Sequence, residues 1–435
     1  MTARSDNRRV YHRLIVPCLV TALAGALFAG TRVAATAPAD RQAPLTGEVR
    51  GLWVGRGALT SPESIAVMVR DAKATGINTL FVQVRGRGEA FYRSRVEPRA
   101  ADLAGQPLTF DPLAETLAAA RTAGLRVHAW INVNLVSSAS RLPQASTHIA
   151  RRHPEWLMVP RALAPTLAKR SPQSREYLSA LTTWTTRASE RVEGLYLSPL
   201  VPAAQAHTVA VVEELARDYA LDGIHLDYIR FPGPDFDYAP AAIAEFRRLV
   251  LSRGVPRADR DRLDREARRD PTTWTRMYAS SWTAFREERL TSLVHRLRAA
   301  ALAARPGLAI SAAVVPDHDA ARREKLQDWG SWADAGVLHA VCPMIYTTDA
   351  AEFETQFAAV RARVAGGPAL WAGIGAYRLP PARTAANVRA ARHGGAAGVI
   401  LFSYEQLSTA TGSPPAAVRD LLRAALLEPV AWQSP

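Results

Sequence analysis

Asp222-Gly223-Ile224-His225-Leu226-Asp227-Tyr228-Ile229-Arg230-Phe231-Pro232 joins an apolar strand pattern to a carboxylate, an aromatic ring and a basic group. A buried strand gains nothing by carrying Asp unless the carboxyl is used or paired. Side chains alternate along a strand, so His225 and Asp227 share a face with Gly223, while Ile224, Leu226 and Tyr228 take the other. At the C-terminal end of a strand in a parallel α/β protein, such a carboxylate reads as chemistry. The bland alternative is an Asp that caps the next loop or pairs with Arg230.

The elements that must position this stretch follow from Val49 onward, where short apolar runs alternate with longer helical patterns. Strands are expected over 50–55, 78–85, 126–134, 223–231, 308–317, 340–347, 369–377 and 398–405. Helices are expected over 61–75, 111–123, 202–220, 282–304, 327–335, 351–364, 384–393 and 415–427. Gly76, Gly124, Gly336 and Gly395 end helices ahead of the next strand, as left-handed C-caps do. Eight such units predict a (β/α)8 TIM barrel over residues 48–428, with long insertions after strands 3 and 4 (135–201 and 232–281). Both insertions fall on the side of the barrel where catalytic loops sit.

Period two along each strand gives an inward set of Trp53, Gln83, Arg85, His128, Trp130, Asn132, Asn134, His225, Asp227, Asp317, Tyr346, Trp371 and Tyr377. Aromatic faces stack on sugar C–H surfaces while amides, guanidinium groups and carboxylates take hydroxyls, so the set suits an oligosaccharide or polysaccharide. Glu89, Tyr228, Arg230 and Tyr404 join it as expected substrate contacts at the rim. No His or Cys spacing fits a zinc site, no Gly-x-Ser-x-Gly elbow occurs and no phosphate loop is present, so no metal or cofactor is expected.

The chain has 435 residues, 48% hydrophobic and 22% charged, which describes a globular protein. Its net charge of +14 comes from 54 basic residues, all but three of them Arg, dispersed beside acids in helices. That pattern argues against nucleic acid and leaves a surface that favours approach to an anionic polymer. Arg4, Arg8, Arg9 and Arg13 precede an apolar run from Leu14 to Gly30 and a small-residue stretch ending near Ala39. Residues 1–39 therefore read as a signal peptide, or as an uncleaved anchor tethering the barrel to the membrane, and export to the periplasm or beyond is expected. Cleavage leaves Cys342 alone, which excludes an intramolecular disulfide.

Between Glu48 and Gln406 the chain resembles the glycosyl hydrolase-like 10 family of secreted bacterial TIM-barrel proteins. The resemblance is carried by Arg50-Gly51-Leu52-Trp53-Val54, by Val82 to Tyr92, by His128-Ala129-Trp130-Ile131-Asn132, by His153-Pro154-Glu155-Trp156-Leu157, by Tyr196-Leu197-Ser198-Pro199 and by Asp222 to Pro232. Two departures stand out. The family continues its third strand as Trp-x-Asn-Pro-Tyr-Arg where this chain has Val133-Asn134-Leu135, and Pro316-Asp317-His318 replaces small and apolar residues.

The resemblance implies a glycoside hydrolase acting on a bacterial envelope glycan such as peptidoglycan strands. That chemistry takes two carboxyl groups, about 5 to 5.5 Å apart for retention and about 6.5 to 9.5 Å for inversion. Asp227 is the first, with His225 expected to orient it and Arg85 to keep it ionised. Asp317, Asp349 and Glu405 are the candidates for the second. A glycan-binding barrel without catalysis is the competing reading, and a second carboxyl group within those separations of Asp227 discriminates between them. Amide-bond hydrolysis would need a metal or nucleophile that the sequence does not offer.

Overall fold

The computed structural model describes residues 47–407 and 414–430. The expected signal or anchor segment, residues 1–39, lies outside them. Eight parallel strands close on themselves in sequence order: β1 Val49–Val54, β2 Thr79–Arg85, β3 Arg126–Asn132, β4 Gly223–Asp227, β5 Ala309–Val314, β6 Ala340–Ile345, β7 Ala369–Gly375 and β8 Gly398–Phe402. The crossover helices are α1 Pro62–Thr75, α2 Pro112–Ala123, α3 Pro202–Asp218, α4 Ala279–Ala304, α5 Trp329–Asp334, α6 Ala350–Arg363, α7 Pro381–His393 and α8 Ala416–Leu427. This is the (β/α)8 barrel expected from the alternation.

Local chemistry sets the punctuation. Ser61 and Ser64 form a reciprocal capping box at the start of α1, and the Asp111 side chain accepts from Ala114 N at 3.1 Å at the start of α2. Gly76, Gly124, Gly336 and Gly395 all have positive φ, as the C-cap reading requires. Where the expectation fails is at the strand ends, most of which stop two to four residues early because rim loops begin there. After β4 the chain breaks at Tyr228, which has φ 49°, a conformation costly for a non-glycine residue.

The barrel interior is layered. Phe81, His128 and Trp371 meet in its lower half, with ring centroids 4.8 Å apart for Phe81–His128 and 5.7 Å for both contacts of Trp371. Glycines make room for these rings: a Cβ on Gly223 would stand 2.4 Å from His128 Nδ1, and one on Gly373 would stand 2.9 Å from Trp53. Above this floor, the upper inward residues leave a cavity instead of a packed core.

The insertion after β3 has its own apolar cluster, including Val136, Ile149, Leu157, Leu181 and Leu197, and pairs with the barrel rim at Leu135–Tyr196 and Leu157–Leu197. The insertion after β4 holds three further helices, Pro240–Ser252, Arg257–Ala267 and the short Thr273–Met277.

Candidate active site

A cavity of about 550 Å³ opens at the C-terminal end of the barrel. Trp53, Gln83, Trp130, Asn132, Asp227 and Tyr346 line it, as the strand periodicity predicts; Tyr228 and Arg230, beyond the end of β4, line it from the rim, and Glu405 joins them from the end of β8. Asp227 is 7% exposed. Its Oδ2 accepts from Trp130 Nε1 at 3.1 Å and its Oδ1 from the Tyr228 amide at 2.6 Å. Burial raises its pKa above the ordinary carboxylate value, against the opposing pull of Arg230 and of these two N–H donors.

A carboxyl joined to Asp227 through a shared arginine is one the sequence reading missed. Arg230 lies between Asp227 Oδ1 and Glu193 Oε1, 3.5 Å from each, and both acids line the cavity. Glu193 belongs to a hairpin-like pairing in which Val136 N donates to Leu195 O at 2.8 Å and Ala139 N to Glu193 O at 2.7 Å. Gly194 makes that approach feasible, since a Cβ there would collide with Ser137 O at 1.7 Å. The Tyr196 hydroxyl donates to Glu193 Oε2 at 2.6 Å. Burial tends to raise the Glu193 pKa, but Arg230 and the Tyr196 hydroxyl outweigh it and the carboxyl falls below its usual range. The available signal was proximity to the Tyr196–Pro199 motif.

Asp317 and Asp349, expected as partners of Asp227, are exposed N-caps. Asp317 accepts from Ala320 N at 2.9 Å and Asp349 from Glu352 N at 3.0 Å, because β5 and β6 end before reaching them. Each starts a helix and neither lines the cavity.

Arg85 is corrected as well. The β2–β3 register slips between Gln83 and Arg85, so Arg85 pairs with Ile131 and the alternation reverses phase. Its guanidinium points away from the barrel interior and is wholly buried against Glu97, at 2.6 Å, and the Asn132 carbonyl. It therefore does not face Asp227.

His225 sits one layer below Asp227 and does not bond to it. Trp53 Nε1 donates to His225 Nε2 at 3.0 Å, which leaves Nδ1 to donate to Ser311 Oγ at 2.9 Å. Burial lowers its pKa to about 3. His128 and Trp371 belong to the floor instead of the cavity, and burial likewise holds His128 neutral. Glu89 accepts from Ala101 N at 3.4 Å off the cavity wall, and buried Tyr404 donates to Asp71 Oδ2 at 3.1 Å on α1.

Among the described residues no group of three or more His, Cys, Asp or Glu side chains is placed to hold a metal. Nor is any described helix long and apolar enough to cross a membrane.

The sequence profile of the family described as Glycosyl hydrolase-like 10 matches residues 48–382. The glycosyl hydrolase YngK of Bacillus subtilis is 24% identical over 241 residues, 52% of this chain and 40% of that protein. The glycosyl hydrolase DigH of Escherichia coli K12 is 25% identical over 228 residues, 46% of this chain and 47% of that protein. The chain thus matches under half the length of each of these relatives. The PgaB (BpsB) glycoside hydrolase domain from Bordetella bronchiseptica superposes with a TM-score of 0.60 at 15% identity, over 88% of this chain and 100% of that domain. At that identity the likeness is one of fold.

Proposed function

The chain belongs to the glycosyl hydrolase-like 10 family, and from that premise we propose that it hydrolyses glycosidic bonds of a bacterial envelope glycan, with peptidoglycan strands as the favoured substrate. The observation that carries this reading is the pair of carboxyl groups, Asp227 and Glu193, which face one cavity across Arg230 and are displaced in opposite directions from ordinary acidity. Environments that push two acids apart assign their roles. Asp227, buried and raised, holds a proton and gives it to the leaving glycosidic oxygen. Glu193, lowered and nearer solvent, stays ionised and serves as base or nucleophile.

Trp53, Trp130 and Tyr346 give the cavity aromatic faces for sugar rings, and Gln83 and Asn132 give it hydroxyl partners. Gln83 and Asn132 already bond to one another, Nε2 to Oδ1 at 3.3 Å, so their amides are preorganised. The Arg-rich N-terminus and apolar run favour export, with the barrel working outside the cytoplasmic membrane. Fractionation that recovered the full-length chain only from the cytosol would remove that part of the reading.

The test is mass analysis of products after incubation with peptide-free peptidoglycan glycan and with neutral envelope glycans. New reducing ends from wild type, absent with Asp227→Asn, are expected. Wild-type rates from Asp227→Asn would overturn the assignment.

A further inference from the structure

The loop after β2 brings a second cation to the cavity that the acid pair does not use. Among the described residues lining the cavity, Arg230 is matched to Asp227 and Glu193, and Arg56 bonds to Gln83 Oε1 at 3.2 Å and faces Asp102 at 3.4 Å. Arg87 lines the same cavity and is half-buried, yet its guanidinium has no ion pair or hydrogen bond among the described residues.

Its backbone is fixed all the same. His148 accepts from Ala150 N on Nδ1, so its Nε2 carries the proton and donates to the Arg87 carbonyl at 2.7 Å. Gly88, at φ +66°, packs so closely that a Cβ there would stand 2.8 Å from His148 Nε2. On the other side, a Cβ on Gly86 would stand 3.0 Å from Arg56 Nη1. Arg87 is thus seated between two glycines on a clamped loop, with Arg56 reaching Gly86 from the turn after β1. Burial and the neighbouring Arg56 and Arg141 charges lower the Arg87 pKa, although Asp102 and Glu89 oppose this.

A half-buried guanidinium beside like charge is unfavourable until an anion arrives. A neutral sugar is served by amides, whereas the fork of a guanidinium matches the two oxygens of a carboxylate. We propose that Arg87, supported by Arg56, forms a subsite for a carboxylate carried by a sugar of the substrate, so that the cavity selects an acidic glycan over its neutral counterpart. This rests on the glycan-hydrolase reading and specifies its substrate class.

The test uses two pairs of probes, each an acid and its methyl ester: peptide-free peptidoglycan oligosaccharides and oligogalacturonates. Binding is read by titration calorimetry on Asp227→Asn, which prevents turnover. Preference for the acid by about ten- to a hundredfold is expected in at least one pair. Adding Arg87→Gln should bring acid and ester to parity, and adding Arg87→Lys should retain part of the preference. Which pair discriminates tells an ether-linked acid from a uronic acid. Parity in both pairs without the Arg87 change, or a preference that survives Arg87→Gln in a variant with an unchanged melting temperature, overturns the subsite. Failure of the hydrolase reading shows separately, as wild type yielding no new reducing ends from any glycan.

Discussion

The indole Nε1 of Trp130 donates to Oδ2 of Asp227 at 3.1 Å, from one strand to the next. The two residues sit on neighbouring strands, Asn132 and not Trp130 being directly opposite Asp227, so the indole reaches the carboxyl diagonally. An N–H aimed at the carboxyl favours its charged form and so counters the burial that raises its pKa. Trp130→Phe should therefore raise that pKa further, moving the basic limb of the kcat/KM profile upward by about half to one pH unit. A limb that stays in place would mean that Asp227 is not the titrating acid.

Asp227→Asn and Glu193→Gln should each lower kcat by roughly 10²- to 10⁴-fold. Glu405→Gln should cost much less, because Glu405 shares the cavity without sharing Arg230. Steady-state rates on one glycan decide this, and a larger loss from Glu405→Gln would transfer the second role to it.

Arg85→Met should act on stability and not on binding. The Arg85–Glu97 pair is fully buried, so truncating Arg85 leaves the buried Glu97 carboxylate with His207, at 3.0 Å, as its remaining partner, at a cost of up to about 3–5 kcal/mol. The expected outcome is a lower melting temperature with KM for the glycan unchanged in the folded fraction. A raised KM at unchanged stability would return Arg85 to the binding face.

His225 contributes to acid sensitivity. Its folded pKa, about 3, lies below the ordinary value of 6.5, so the unfolded chain binds the proton first as pH falls. The stabilisation is complete above about pH 6.5 and is lost on acidification through that window, by about 2–3 kcal/mol at pH 4.5. Asp237, whose pKa burial raises to about 6, has the opposite sign, gaining stability as pH falls from about 6 toward 3.8. The two are separated by His225→Gln, which keeps an acceptor for Trp53 and cannot charge: its melting temperature should fall less steeply between pH 6.5 and 4.5 than that of wild type.

Repetition made the barrel legible in the sequence. Eight apolar runs, each followed by a helical pattern and several by a capping glycine, leave little choice of architecture. Period two also placed Trp53, Gln83, Trp130, Asn132 and Asp227 on the inner face. It failed at Arg85 because one bulge residue inverts the phase without changing composition. It also failed at Asp317, where a strand end and a helix cap share the same residue type, and rim position misled in the same way at Asp349. Glu193 was hidden for a different reason: it lies in an irregular insertion, and its place is fixed by pairing between 135–139 and 193–196, which no periodicity announces. His225 was assigned to the right face at the wrong depth.

The aromatic floor of Phe81, His128 and Trp371 makes the barrel a cup with a single mouth. Arrival and departure then share one route, and a long chain cannot be threaded through but must lie across the rim. Occupancy by one molecule blocks entry of the next, so turnover is bounded by how fast the mouth clears as well as by bond cleavage.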